Sequence, residues 1–400
     1  MSARQQTSPK LEAVGKAQNT TRACSLRTST AGTASALPHL TVDVNLAQSD
    51  PRAVFTRWTQ HFKRSYEHNE FEQRLDNWYN NLQEFIKRQE STAHLNGLAD
   101  MTDEELKQAY LGQHARSKEM LRNAQHQLYR YRFVQPLPEV DWRKQGVVGP
   151  IKNQHVNGSK CGCCWAFATI GVVESINAMA TGEMVSLSEQ QLLDCDHSGP
   201  YHDEGCSGGD FDGGMAYIIE NGIDTEQDYP YKAADGSCDR RKERHIVVTI
   251  DAIEDVPPRN ETALMQGVSM HPIGVAVCVG PYIKEWRAYT GGILHLPSNC
   301  DDPLDHAMVV VGYGVDEETN EPFWLLKNGW GDQWGENGFL RIPRGLNGTG
   351  SIGLLTQPGY PLKISPNPRL DKVGEGRAAS WDDWVEVLGH RAALADRRRV

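Results

Sequence analysis

Between Gln154 and Val173 the chain reads QHVNGSKCGCCWAFATIGVV. No residue from Cys161 to Val173 carries a charge, and the run is too short to cross a bilayer, which takes about 20 apolar residues. It therefore predicts a helix buried in a protein core, with Cys164 near its N-terminus. The unpaired N–H groups and the dipole of a first helical turn stabilise negative charge, so a thiol placed there is favoured as thiolate and prepared as a nucleophile. Zinc is the competing reading for Cys161, Cys163, Cys164 and nearby His155, but adjacent cysteines running into a helix do not match paired-ligand spacing. Neither a metal nor another cofactor is expected.

Working outward, Asp305-His306-Ala307 precedes the strand-like run Met308–Val311, and Lys327-Asn328-Gly329-Trp330-Gly331 follows another at Phe323–Leu326. A Cys, a His and an Asn from three distant segments can converge as nucleophile, base and orienting amide. The stretch that holds them, from Leu137 to about Lys363, is punctuated by Gly and Pro and contains eight of the nine cysteines. Its first third reads helical and its second half, with Ile246–Ile250, Gly274–Val279 and the two runs above, reads as strands, which predicts an α+β arrangement of two lobes.

The flanks have other textures. Residues 50–111 are rich in charge and amides and nearly free of Gly and Pro, which predicts a separate helical segment. Within it Glu70, Arg74, Trp78, Asn81, Phe85 and Gln89 fall on one face of a helix. Residues 112–136 read as a connector open to proteolysis, and residues 365–400 as an extension without a recognisable motif. Residues 1–49 are taken as a disordered or targeting segment: the first 41 carry five basic residues against Glu12 alone and lack the apolar core of a signal peptide. The 41 basic and 52 acidic residues give a net charge of -11, with no basic stripe beyond Arg397-Arg398-Arg399, so no nucleic-acid partner is expected. No membrane span is expected either. Sequons begin at Asn19, Asn157, Asn260 and Asn347 and would accept glycans in the secretory route.

From about Phe55 to Lys363 the chain resembles the papain-like cysteine peptidases, the family of papain and the lysosomal cathepsins. The resemblance rests on Gln154, CGCCWAF, Leu193-Asp194-Cys195, Gly205-Cys206-Ser207-Gly208-Gly209, Asp305-His306-Ala307 and NGWGDQWGENGF, in that order. The six-residue helix face and Asn96-Gly97-Leu98-Ala99-Asp100 resemble the two motifs of that family's inhibitory propeptide. The implied fold is α+β and two-lobed, a helical left lobe and a β-barrel-like right lobe over 137–364, preceded by an all-helical propeptide. The implied function is that of a thiol endopeptidase made as a zymogen, whose partners are protein or peptide substrates, its own propeptide and cystatin-like inhibitors. It would act as a monomer in a lysosome, a vacuole or outside the cell.

Carried over by resemblance, Cys164 is the nucleophile, His306 its ion-pair partner, and Asn328 the group that orients the imidazole. Gln154 contributes a side-chain amide to the oxyanion hole, and Trp330 covers the His306–Asn328 hydrogen bond. Gly208, Gly209, Asp305 and Trp330 would bind substrate, and Asp210, Phe211, Ala276, Leu304 and Gln357 would line the pocket for the second residue before the cleavage point. Asp210 is expected at that pocket's rim, where it would add tolerance for a basic residue. The family's disulfides imply Cys161–Cys206 and Cys195–Cys238. Its third bridge would join Cys300 to the position held by Ile352, so that bridge is expected to be missing, leaving Cys24, Cys163, Cys278 and Cys300 without named partners.

Three departures stand out. The loop between Gln154 and Cys161 is enlarged to six residues, Gly329 stands in place of a Ser, and Cys163 in place of a small residue. Acid is the expected trigger of propeptide release, through loss of charge on Glu70 and Asp100. Two other readings keep the scaffold: an inactive binding homologue, opposed by the intact Cys164, His306, Asn328 and Gln154, and a transamidase or ligase, which product analysis with an added amine would separate from a hydrolase.

Overall fold

The computed structural model describes residues 39–114, 128–156, 158–197, 203–296, 300 and 303–368. The readings of the first 38 residues, of Asn19, Cys24 and Asn157, of the middle of the connector and of the tail beyond Pro368 fall outside these.

The N-terminal segment begins earlier than its composition suggested. Strand β1 (His39–Asp43) pairs antiparallel with β2 (Thr92–Asn96), so residues 39–49 are folded and the segment is not all-helical. Between the two strands lie helices Val44–Ser49, Pro51–His61 and His68–Lys87. Asp50 caps the second of these by accepting from the Ala53 amide, and Pro51 takes the first turn, where its missing N–H costs nothing. Phe55, Trp58, Trp78 and Leu82 fill a private core. Five of the six residues read as one face lie on the long helix, but that helix ends at Lys87 and Gln89 sits beyond it at a positive φ of 57°. A final helix, Asp103–Tyr110, opens with a reciprocal capping box between Thr102 and Glu105.

The larger body has a helical side built on Cys164–Thr181, Glu189–Cys195 and Phe211–Asn221. The first of these is buried on nearly every face, as its uncharged sequence requires. Opposite stands an antiparallel sheet of β3 (Val140–Asp141), β4 (Ala252–Asp255), β5 (Ile273–Val277), β6 (His306–Val315), β7 (Pro322–Lys327), β8 (Phe339–Pro343) and β9 (Pro358–Leu362). The strands run in the order β4-β9-β5-β6-β7-β8 with β3 added to β6, an open sheet and not a closed barrel. Ile246–Ile250 makes only an isolated bridge, Val248 to Ile223. Among the described residues no helix is long and apolar enough to cross a membrane.

Disulfides join Cys161 to Cys206 and Cys195 to Cys238 on the helical side. A third joins Cys278 to Cys300, which corrects the expectation that the third bridge is missing and supplies the partners left unnamed. The reason is local geometry: Cys278 follows β5 and donates its amide to the Ile352 carbonyl, so it stands beside the position from which a bridge to Cys300 was expected. The antiparallel β5–β6 pairing brings the two flanks to a Cα separation of 6.3 Å.

Candidate active site

The buried helix starts at Cys164, with Cys163 as its cap residue. His306 opens β6 and Asn328 follows β7, and the antiparallel pairing of those two strands sets the two side chains together, His306 Nε2 donating to Asn328 Oδ1 at 2.8 Å. The Trp330 ring lies 5.1 Å from the imidazole, and Trp286 and Trp334 pack behind it. Cys164 shares a buried cluster with Ala307, the neighbour of His306, and the Ala307 and Gly112 amides oppose the rise of its thiol. Cys164, His306, Asn328 and Gln154 are therefore assembled in one buried place.

That place is already occupied by the chain itself. Tyr110 is fully buried against Trp330 and His155, at ring separations of 4.7 and 5.5 Å. Its carbonyl lies 3.1 Å from His306 Nδ1 and accepts from Gln154 Nε2 at 3.3 Å, and the same amide donates to the Ala109 carbonyl at 3.1 Å. Gly112 continues the path, donating to the Asp305 carbonyl at 2.9 Å and accepting from the Gly209 amide at 2.8 Å, while His114 donates to the Gly209 carbonyl. Backbone meets backbone here: a Cβ on Gly112 would fall 1.7 Å from the Gly162 carbonyl oxygen, so no other residue fits at 112 without displacing the chain. Residues 112–114 thus belong with the cleft-filling segment, not with the connector.

Burial under this segment sets the protonation state. Desolvation pushes the Cys164 thiol up to about 12 against nearby backbone N–H groups that favour the thiolate, and it pushes His306 down to about 4 against the Asn328 Oδ1 and Tyr110 carbonyl oxygens, which accept from the protonated ring. Helix position alone favoured a thiolate; the covered site favours neutral thiol beside neutral imidazole. Cys163 donates to the Tyr231 hydroxyl, which donates to the Gln154 carbonyl at 2.7 Å, and burial raises its thiol too. It acts as a packing residue under Gln154.

Phe211, Ala276 and Leu304 share one apolar cluster with Cys164. Asp210 differs from its expected place at a rim. It is buried, caps the Phe211–Asn221 helix through the Asp212 amide, and accepts from Gln357 Nε2 at 2.8 Å. Asp305 accepts the Val279 and Gly280 amides, which fixes the turn leading into β6. Gly208 has a φ of 123°, and a side chain there would meet His114 and Gly112. The enlarged loop folds on itself: His155 Nδ1 donates to the Ser159 carbonyl and the Val156 amide to Ser159 Oγ. With Arg64, Arg74, Asp100 and Glu105 it walls a polar cleft of about 530 Å3.

Sequence reading missed two parts of the site. One is Tyr110, which follows no motif and is marked only by closing an amphipathic helix. The other is a buried ionic cluster behind Asn328, in which Lys152 bridges Glu174 and Glu189 at 3.1 and 2.9 Å and Lys327 lies 3.8 Å from Glu174.

The N-terminal segment is also bolted to the body beyond the cleft. Asn96 Nδ2 donates to the Arg287 and Tyr289 carbonyls, Arg287 pairs with Asp103, and Leu98, Leu106 and Tyr110 enter the same core as Trp286, Trp330 and Trp334.

Comparison with known proteins gives a papain family cysteine protease domain over residues 137–362 and a cathepsin propeptide inhibitor domain over residues 55–106. The Oryzain beta chain of Oryza sativa is 44% identical over 277 residues, 68% of this chain and 56% of that relative, so the chain spans little more than half of that relative's length. The KDEL-tailed cysteine endopeptidase CEP2 of Arabidopsis thaliana is 37% identical over 333 residues, covering 80% of this chain and 89% of the relative. Among solved structures, the proform of the ragweed pollen cysteine protease Amb a 11 superposes with a TM-score of 0.66 at 30% identity, over 78% of this chain and 95% of that one.

Proposed function

The chain belongs to the papain family of cysteine proteases and carries that family's propeptide inhibitor domain, and we propose that it is the zymogen of an endopeptidase working through Cys164, His306 and Asn328. The observation that carries the reading is that a peptide backbone, Ala109 to His114, engages Gln154, His306 and Gly209, the groups that would handle a substrate. In the zymogen they hold a segment of the chain itself. Once that segment leaves, water reaches the site and the desolvation that keeps the dyad neutral is relieved, so the proton passes from Cys164 to His306.

The thiolate attacks the substrate carbonyl. The tetrahedral oxyanion forms between the Gln154 amide and the Cys164 N–H, where fixed donors stabilise the developing charge. His306, held by Asn328 under Trp330, gives its proton to the leaving amine and then takes one from the water that hydrolyses the thioester. Phe211, Ala276 and Leu304 favour a bulky apolar side chain at the second residue before the cleaved bond. The Asp210 charge is engaged by the Asp212 amide and Gln357, which argues against a gain from a basic residue there; a peptide library with raised turnover for Lys or Arg at that position would restore the rim reading.

Three disulfides call for an oxidising compartment, and the named relatives fit a secretory or vacuolar route. The test of function is intact-mass labelling with a peptidyl epoxide after activation in mild acid, run beside Cys164→Ser. A single adduct on the processed wild type and none on the variant is expected. A folded, processed domain that takes no adduct would sink the enzyme reading in favour of an inactive homologue.

A further inference from the structure

From Tyr129 to Val134 the connector lies against the protease body as a tight turn, the Arg132 amide donating to the Tyr129 carbonyl and the Val134 amide to the Tyr131 carbonyl. Both tyrosines are buried. The Tyr129 hydroxyl donates to the Ala263 carbonyl at 2.9 Å and lies 2.6 Å from where Gly267 would carry a Cβ, so the ring enters because residue 267 has no side chain. The Tyr131 ring stacks on Tyr360 at 5.6 Å. Its hydroxyl is 3.0 Å from Nε2 of the buried His271, whose Nδ1 is 2.9 Å from the Pro272 carbonyl; the tautomer protonated at Nδ1 satisfies both. Between the two rings Arg130 forks onto Glu254, which also accepts from the Tyr360 hydroxyl. Gln266 Nε2 donates to the Arg132 and Val134 carbonyls at 3.2 and 3.0 Å.

Every wall of this groove belongs to the protease domain, which begins at residue 137. Gln266 and Gly267 stand on the Glu261–Val268 helix, and Glu254 and Tyr360 are opposite each other in the antiparallel pair β4–β9. His271 lies just before β5, which pairs with the same β9. A chain cut before Leu137 therefore sheds the two tyrosines and keeps the groove. We propose that the groove is an exosite of the mature protease, and that its occupant is the released propeptide, which docks there through Tyr129-Arg130-Tyr131 while Ala109–His114 hold the cleft. This rests on the zymogen reading above but uses none of the catalytic residues. The recognition chemistry is two aromatic rings, each ending in a hydroxyl that meets a fixed partner, with a guanidinium between them for Glu254. Walls fixed by a sheet and a helix are preorganised, so docking orders only the peptide. Two grips also act together: a propeptide loosened at one place stays at high effective concentration beside the enzyme through the other. Before the cut the second grip adds little, because the peptide bond at Leu137 already holds that end of the segment.

The probe is a fluorescent synthetic peptide of residues 128–135, LYRYRFVQ, followed by anisotropy. On mature enzyme whose Cys164 is capped by the epoxide, so that the cleft is closed, saturable binding below about 1 mM is expected. The peptide with both tyrosines replaced by Ala should bind at least about 30-fold more weakly, the loss of one interface anchor. On the uncut Cys164→Ser chain, whose own segment fills the groove, the parent peptide should bind at least about tenfold more weakly than on the mature enzyme. Tyr129→Ala/Tyr131→Ala in that uncut chain should vacate the groove and restore binding. If this variant does not fold, Arg130→Glu, which sets two carboxylates against each other at an exposed position, serves in its place. No saturation on the capped enzyme or on the opened chain, or equal binding to the uncut parent, overturns the exosite. A processed domain that takes the peptide but no epoxide would refute the enzyme reading and leave the exosite standing.

Discussion

Tyr110 is the residue whose removal should unlock the zymogen most. Its ring is fully buried between Trp330 and His155 while its carbonyl sits on His306 and Gln154. Truncating a buried aromatic to Ala costs about 3–5 kcal/mol. The lower end applies here, because the backbone contacts survive and the polar cleft that begins at Ala109 and His155 lets water into the vacated space. At about 1.4 kcal/mol per factor of ten, 3 kcal/mol raises the open fraction about 100-fold. The assay is the rate of epoxide labelling of Cys164 in unprocessed full-length zymogen at neutral pH, under reagent-limited conditions where the rate follows the open population. Tyr110→Ala should label about 100-fold faster. Tyr110→Phe should move the other way, since the Tyr110 hydroxyl is buried without a hydrogen-bond partner and such a group costs about 1–3 kcal/mol; labelling should slow by about tenfold. If Tyr110→Ala labels at the parent rate, or Tyr110→Phe labels faster, the ring does not hold the segment in the cleft and the reasoning fails.

Other outcomes follow from the same geometry. Gln154→Ala should lower kcat of the matured enzyme by about 10²–10³ with little change in KM, as loss of one oxyanion donor does; an unchanged kcat would remove Gln154 from the site. Acid release should run through His155 and not Asp100. Burial raises the Asp100 carboxyl, so the packed propeptide binds that proton more readily than the unfolded chain and is stabilised, relative to neutral pH, as pH falls through the raised value. Burial lowers His155, with Arg64 and Arg74 across the cleft adding to the effect and the Ser159 carbonyl and Glu105 opposing it, so its share of packing is lost as pH drops below the ordinary histidine value. His155→Gln should therefore slow acid maturation, whereas Asp100→Asn should stabilise the zymogen at neutral pH and remove Asp100's contribution to any rise of its urea midpoint as pH falls from neutral toward the ordinary carboxylate range; the reverse pattern would return the trigger to Asp100. Replacing Cys278 and Cys300 together by Ser opens a loop of sequence separation 22 and should cost about 3 kcal/mol, read as a lower urea midpoint of the matured Cys164→Ser domain. An unchanged midpoint would mean that the bridge is not formed.

What the sequence could determine by itself was local or carried by motif. An uncharged run opening at Cys164 becomes a buried helix because nothing in it can face water. Strand-like runs beside His306 and Asn328 become neighbours in a sheet, and antiparallel pairing then brings two distant side chains within 2.8 Å. Gln89 shows the limit of periodicity: spacing continued the helix face, while the chain left the helix at Lys87 and turned through a left-handed residue. The parts that only the tertiary structure decided depend on what lies opposite in space. Cys278 and Cys300 pair because β5 and β6 are adjacent. Asp100 titrates against the expected direction because it is buried, and Cys164 is a neutral thiol while the propeptide covers it. The stretch at Tyr129 and Tyr131 reads as polar linker in sequence, since what buries the two rings is the glycine floor at 267 and the ring of Tyr360, more than a hundred residues away. Burial, proximity and desolvation arise between segments, and no window of sequence contains both sides of such a contact.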